Sequence, residues 1–214
     1  MIQYTEYENR EKWLAGRQKT LGASEVAAAI GESSFMTPTQ LWELKVNGVE
    51  DGQKEDNRQI RYGTLAEEHL RALYALKHES EYKVEYHGFR VYRNDKYPHL
   101  SCTLDGELFG MNGEHGIWEC KTAEIHSKRA DDQWAGNRIP QTYYLQILAQ
   151  LLVTEFDFAV LNAELRFSDG SASIREYRID RAEVLDDMQY IAEQTALFWK
   201  SVVEKKRPKP IITL

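Results

Sequence analysis

At 214 residues, with 42% hydrophobic and 29% charged, the chain has the size and composition of one good-sized domain with a real core. A net charge of −7 and a pI near 5.5 argue against a protein that coats nucleic acid nonspecifically, but leave room for a local basic track. No apolar run approaches the ~20 residues of a membrane helix, the start Met1-Ile2-Gln3-Tyr4 has no signal-peptide character, and neither cysteine (Cys102, Cys120) nor any of the six histidines has metal-motif spacing, so a reducing, cytoplasmic setting without membrane partners is expected.

Residues 9–16 read as a short helix with Asn9 as N-cap. In Leu21-Gly22-Ala23-Ser24-Glu25-Val26-Ala27-Ala28-Ala29-Ile30-Gly31, Ser24 is expected to cap an alanine-rich helix that Gly31 ends. A basic residue such as Arg17 and a hydroxyl such as Ser24 at a helix start are one way to hold a phosphate; a capping serine beside a solvated arginine is the plainer reading. Thr37-Pro38-Thr39-Gln40 is a capping box with proline at the first helical position, opening a helix through Trp42 and Leu44 to about Val46. Residues 47–57 are polar and contain glycine, hence a loop. Residues 62–77 form a helix with an apolar stripe of Leu65, Leu70, Leu73, Tyr74 and Leu76, and with Glu67 among its polar positions. Residues 82–92 alternate as a strand, 124–134 are helical, and 135–138 are a loop. Pro140 starts a long helix to Val153, broad enough in its apolar face to pack across a sheet, with Tyr143 and Gln146 on one face. Two strands, 156–167 and 172–179, flank a Ser168-Asp169-Gly170 turn. Asp180 caps a last helix, 182–204, and the basic tail from Lys205 to Pro210 is not helical.

The chemistry concentrates between residues 100 and 122. Leu100-Ser101-Cys102-Thr103-Leu104-Asp105-Gly106 is followed by a turn-rich gap holding Asn112-Gly113, then by Gly116-Ile117-Trp118-Glu119-Cys120-Lys121-Thr122. Asn-Gly between alternating runs signals a hairpin, with Asp105 on one strand and Glu119 and Lys121 on the next. Strand alternation puts Glu119 and Lys121 on one face and turns Trp118 and Cys120 into the core. Two carboxylates and an ammonium on one face suit an oxygen-seeking divalent cation, Mg²⁺ or Mn²⁺, acting on a phosphodiester. The lysine would orient water and stabilise developing charge. An ordinary turn pair followed by an exposed Glu-x-Lys strand is the alternative these residues leave open.

Four segments, in order, resemble the phage-type alkaline exonucleases, the lambda exonuclease / YqaJ group of the PD-(D/E)xK nuclease superfamily. They are Arg17 with Leu21-Gly22-Ala23-Ser24; Tyr62-Gly63-Thr64-Leu65-Ala66-Glu67; Leu104-Asp105-Gly106 with Glu119-Cys120-Lys121; and Tyr143-Tyr144-Leu145-Gln146-Ile147-Leu148-Ala149-Gln150. They span about residues 13 to 155. The resemblance implies an α/β, restriction-endonuclease-like core with a central mixed β-sheet flanked by helices. It implies a single nuclease domain over residues 1–214, its N-terminal helical part, about 1–80, packed on the sheet core.

Residue by residue, the resemblance implies that Asp105, Glu119 and the backbone carbonyl of Cys120 ligate Mg²⁺ or Mn²⁺ and that Lys121 orients the attacking water. Glu67 would assist the metal or its waters, and Gln146 would lie near the lysine, with Tyr143 beside it. Arg17 and Ser24 would grip the phosphate at a recessed 5′ end. Thr103 stands where the family often has a serine, and Leu104 where the superfamily has proline. Arg138 joins Arg17, Lys19, Arg58, Arg61, Lys128 and Arg129 as groups expected to line a DNA channel. The implied activity is 5′-to-3′ digestion of double-stranded DNA ends to 3′ overhangs for recombination. The implied assembly is a ring-shaped homotrimer working with a single-strand-annealing protein. A same-fold endonuclease and a catalytically silent DNA-end-binding protein are the rival readings. An iron–sulfur relative is disfavoured, because two cysteines cannot supply four thiolates.

Overall fold

The computed structural model describes residues 1–48 and 58–208. Most of the loop expected at 47–57, and the end of the basic tail, lie outside the described residues. In chain order the elements are β1 (Ile2–Glu6), α1 (Arg10–Arg17), β2 (Leu21–Gly22), α2 (Val26–Ala29), α3 (Pro38–Asn47), α4 (Arg58–Lys77), β3 (Tyr82–Glu85), β4 (Arg90–Asn94), β5 (Leu100–Cys102), β6 (Gly106–Gly110), β7 (His115–Ile125), α5 (Lys128–Asp132), α6 (Gln141–Thr154), β8 (Phe158–Phe167), β9 (Ala172–Asp180) and α7 (Leu185–Val203).

The strands form two sheets, ordered β1-β4-β5-β2 and β3-β6-β7-β8-β9. Each is mixed: β2 runs parallel to β5, β7 parallel to β8, and the remaining pairs are antiparallel. The parallel β7–β8 pair needs a long crossover, which α5 and α6 supply. The expectation of α/β architecture with mixed sheet and flanking helices holds, with two sheets where one was expected. The N-terminal part is not purely helical, because β1 and β2 are strands of the smaller sheet.

Helices cover the five-stranded sheet on both faces. On one face Leu70 and Tyr74 of α4 pack with Leu108, Trp118, Cys120, Phe158 and Val160. On the other, α2, α3, α6 and α7 enclose the larger core, which takes in Ile117 and Leu161. Strand alternation in β7 thus sends Trp118 and Cys120 under α4 and Ile117 and Glu119 toward α6, as their spacing requires. In α6 every residue from Ile147 to Thr154 is buried.

Local chemistry explains several boundaries. Asn9 caps α1 by accepting from Lys12 N at 3.0 Å. Thr37 and Gln40 close a reciprocal capping box on α3, with Pro38 in its first turn. Gly31 takes the left-handed φ of +85° just past α2, a conformation that suits a residue without Cβ.

Other expectations change. Ser24 is not an N-cap: residues 23–25 form a 3₁₀ turn capped at Gly22, whose N–H donates to the Glu25 carboxylate at 2.7 Å. The strand expected across 100–106 breaks after Cys102, because β5 pairs with β4 and β2 while β6 joins the other sheet. Residues 82–92 divide for the same reason into β3 and β4, one in each sheet. The helix expected at 124–134 is strand to Ile125, since β7 follows β8 for ten paired residues, and only then α5. The final helix begins at Leu185, after a 3₁₀ turn at 181–183 to which Asp180 offers no side-chain cap. In α4, Leu65, Leu73 and Leu76 are more than half exposed, and the buried face is Leu70 and Tyr74.

Candidate active site

Asp105 stands on the crossover between the sheets, one residue before β6. The β6–β7 register pairs Gly106 with Trp118, so Asp105 meets Glu119 and Cys120 across the ladder. The Cys120 N–H donates to Asp105 Oδ2 at 2.9 Å, which anchors the carboxylate to β7. Arg71 of α4 donates to the Asp105 carbonyl at 2.8 Å and to Glu67 Oε1 at 3.1 Å, bringing Glu67 to the same place. Arg71 is itself held over the Tyr86 ring at 3.8 Å.

Glu119 is almost fully buried and heavily hydrogen-bonded. Lys121 Nζ and Gln146 Nε2 both donate to its Oε1 at 2.5 Å, and Gln150 Nε2 donates to its Oε2 at 2.6 Å. Lys121 also lies 5.5 Å from the Tyr143 ring centroid. Cys120 contributes its backbone, while its thiol is in the α4 core, where burial and then the Asp105 charge push its pKa up.

The electrostatics mark the site as crowded with negative charge. Burial pushes the Asp105 carboxyl well above the usual range, and the charges of Glu119 and Glu67 add to it. Glu67 is raised too, first by burial and then by Glu119, against Arg71 and Lys121. Burial alone would lower the Lys121 ammonium, but Glu119 and Asp105 together hold its pKa above the ordinary value. Clustered carboxylates that resist ionising are a place where a divalent cation is favoured. Among the described residues no three His, Cys, Asp or Glu side chains converge as a metal-binding group. Asp105 and Glu119, with a backbone carbonyl, are hard oxygen donors that could hold a largely hydrated cation such as Mg²⁺.

A cavity of about 150 Å³ opens beside these groups and is lined by Asp105, Glu119, Lys121, Gln146, Ser101, Cys102 and Thr103 on one side. Arg17, Gly22, Ala23 and Ser24 line the other. Arg17 approaches Ser24 Oγ at 3.5 Å and stacks over Trp13 at 4.5 Å. Burial lowers its pKa, against the nearby Glu25 and Asp105 charges, leaving a guanidinium that gains by meeting an anion. Glu25 is pinned from behind by the buried Lys45 at 2.7 Å. The structure thus gathers Arg17, Ser24, Thr103, Asp105, Glu119, Lys121 and Gln146 on one cavity, with Glu67 and Tyr143 adjoining. Arg138 is placed elsewhere: it is exposed and lines a separate cavity of about 540 Å³ with Arg129, near the start of α6.

The model of the YqaJ-like viral recombinase domain matches residues 12–157, which include every one of these groups. The chain belongs to the YqaJ-like viral recombinase domain family. This YqaJ-like chain is 24% identical over 195 residues to the uncharacterized protein YqaJ of Bacillus subtilis, covering 91% of the chain. It spans 57% of the length of that relative. Its fold is similar to the alkaline exonuclease LHK-Exo of Laribacter hongkongensis, with a TM-score of 0.68 at 17% identity over 92% of this chain and 94% of that one. The complex of LHK-Exo with dAMP gives 0.64 at 17% identity, over 92% and 97%. The family match bears out the resemblance to the YqaJ group, and the solved structures bear out the expected α/β fold.

Three neighbours were not singled out in the sequence: Gln150, Arg71 and Trp13. Each lies four residues from one that was, respectively Gln146, Glu67 and Arg17, and so shares its helix face.

Proposed function

We propose that this chain is a Mg²⁺-dependent 5′-to-3′ exonuclease on double-stranded DNA ends, able also to use Mn²⁺, which leaves 3′ overhangs for recombination by single-strand annealing. The observation that carries the reading is the single cavity shared by the Asp105–Glu119–Lys121 set and the Arg17–Ser24 pair. Membership of the YqaJ-like family and likeness to a protein named an alkaline exonuclease support it.

Asp105, Glu119 and the Cys120 carbonyl would hold the cation. The chemistry a divalent ion supplies in such a site is neutralisation of phosphate charge and acidification of water. Lys121 stays protonated under the pull of Glu119 and Asp105, so it acts as a hydrogen-bond donor and positive charge at the reacting phosphate, not as a base. Glu67 adds an acceptor for water, and Gln146 keeps Glu119 aimed. Arg17 and Ser24 take the terminal 5′ phosphate, and Thr103 and Tyr143 flank the path. The cations Lys19, Arg58, Arg61, Lys128, Arg129 and Arg138 are exposed and form the track for more distant phosphates. Residues 1–214 act as one nuclease domain, intracellular, in a ring-shaped homotrimer that hands its product to an annealing protein. No helix among the described residues is long and apolar enough to cross a membrane.

The test is a linear duplex labelled at one 3′ end, with or without 5′ phosphates, digested with Mg²⁺, with EDTA, and by Glu119→Ala. Stepwise loss from 5′-phosphorylated ends, absent in both controls, is expected. Cutting of closed circles would replace the reading with an endonuclease. Retained end binding without cleavage under any divalent metal would replace it with a silent end-binding protein. Sedimentation at working concentration tests the trimer. DNA affinity that does not fall with salt would count against the basic track.

A further inference from the structure

Gln150 is an amide in a segment of α6 that is otherwise almost wholly apolar. Its neighbours Ile147, Leu148, Ala149, Leu151 and Leu152 are buried hydrophobics, and Gln150 is itself fully buried. Its Nε2 donates to Glu119 Oε2 at 2.6 Å and to the Thr103 carbonyl at 3.2 Å. Both partners are acceptors, so the amide is locked with its NH₂ toward them. Its Oε1 is then buried without a hydrogen-bond partner among the described residues. An unsatisfied buried oxygen is a cost that an apolar side chain of the same shape would avoid.

What the amide gains is a bond to each carboxylate-bearing segment. Glu119 belongs to β7, and Thr103 sits two residues before Asp105 on the crossover between sheets. Lys121 and Gln146 both hold Oε1 of Glu119, so Gln150 holds the other oxygen. We propose that Gln150 is a positioning residue for divalent-cation binding: it sets the rotation of the Glu119 carboxylate and its spacing from Asp105 without touching the cation. This rests on the reading of Asp105 and Glu119 as cation ligands.

The test measures Mn²⁺ binding by calorimetry, thermal stability without metal, and the Mg²⁺ concentration that half-saturates DNA cleavage. Gln150→Met keeps the shape and removes both bonds. It is expected to fold with a lowered melting temperature, because Glu119 Oε2 loses a donor, to bind Mn²⁺ about tenfold more weakly, and to need about tenfold more Mg²⁺ while approaching the wild-type rate at saturation. A folded Gln150→Met protein with unchanged Mn²⁺ affinity overturns the proposal. If that variant does not fold, Gln150→Asn decides: it keeps the amide but is one methylene shorter, so its NH₂ falls short of Glu119, and a folded Gln150→Asn protein with unchanged Mn²⁺ affinity overturns the proposal. Wild-type protein that binds no Mn²⁺, or Glu119→Ala that binds it equally well, overturns the ligand reading itself, and the role of Gln150 falls with it.

Discussion

Lys121 is where the proposed cleavage chemistry and the electrostatics of the site meet. Its ammonium is bonded to Glu119, and its charge favours ionised Asp105 and Glu67. Lys121→Met keeps the aliphatic stem and removes the donor. A fall in the single-turnover cleavage rate of about 10²-fold or more is expected, with DNA-end binding retained. Asp105 leads to a second expectation. Its pKa is raised on folding by burial and then by Glu119, so the folded state binds more protons than the unfolded state above the ordinary carboxylate range. Stability from this group is therefore lost as pH rises through the raised value. Asp105→Asn should melt higher than wild type at neutral pH without metal, by a margin that shrinks in acid, and should lose cleavage. Thermal melts at pH 4 and pH 7 check the sign.

At the scale of elements, β7 carries the site because it is held on every side. Gly116 sits under the Phe158 ring, and a Cβ there would meet Phe158 Cζ at 2.3 Å. Gly116→Ala should cost about 1–3 kcal/mol by overpacking, read from urea unfolding, with partial recovery when Phe158→Leu is added. The hairpin signal at Asn112-Gly113 was right about the turn, where Gly113 takes φ +91°, and about the strand that follows. It misjudged the strand that precedes, because nothing local marks where a chain leaves one sheet for another. The α4 stripe was misjudged for a related reason. Three of its five apolar positions face outward, since spacing alone does not say which side of a helix a sheet will cover.

The whole molecule is tied together where the two sheets meet. Glu107 of β6 is buried and accepts from the Tyr92 hydroxyl, from Arg90 at 3.2 Å and from His115 at 2.9 Å, so β4, β6 and β7 share one carboxylate. Burial opposes its charge, but the His115 and Tyr92 bonds hold its pKa below the ordinary range. Further along, His99 reaches Thr195 of α7 at 3.0 Å, and the Thr195 hydroxyl donates onward to the Ile191 carbonyl. His99 Nε2 must then donate, which fixes a neutral tautomer. Burial lowers its pKa, so the unfolded state takes up a proton first as pH falls below about 6.5. That part of the stability is present at neutral pH and lost in acid. His99→Asn should flatten the decline of melting temperature between pH 7 and pH 5, whatever it costs at pH 7.

The sequence by itself determined the parts that depend on near neighbours along the chain. Caps at Asn9 and Thr37, alternation around Glu119, and the length of α6 follow from a few adjacent residues, because each is decided by backbone groups within one turn or one pleat. The order of Arg17, Ser24, Glu67, Asp105, Glu119, Lys121 and Gln146 was legible as a family pattern. Only the tertiary structure decided that all of these but Glu67, which adjoins it, share one cavity, that Arg138 belongs to another, and that Ser24 lines the shared cavity without capping a helix. It alone brought Gln150 to Glu119 and Arg71 to the Asp105 carbonyl. Their partners are a carboxylate on β7 and a carbonyl on the sheet crossover, and contacts between elements leave no periodicity in the chain that makes them.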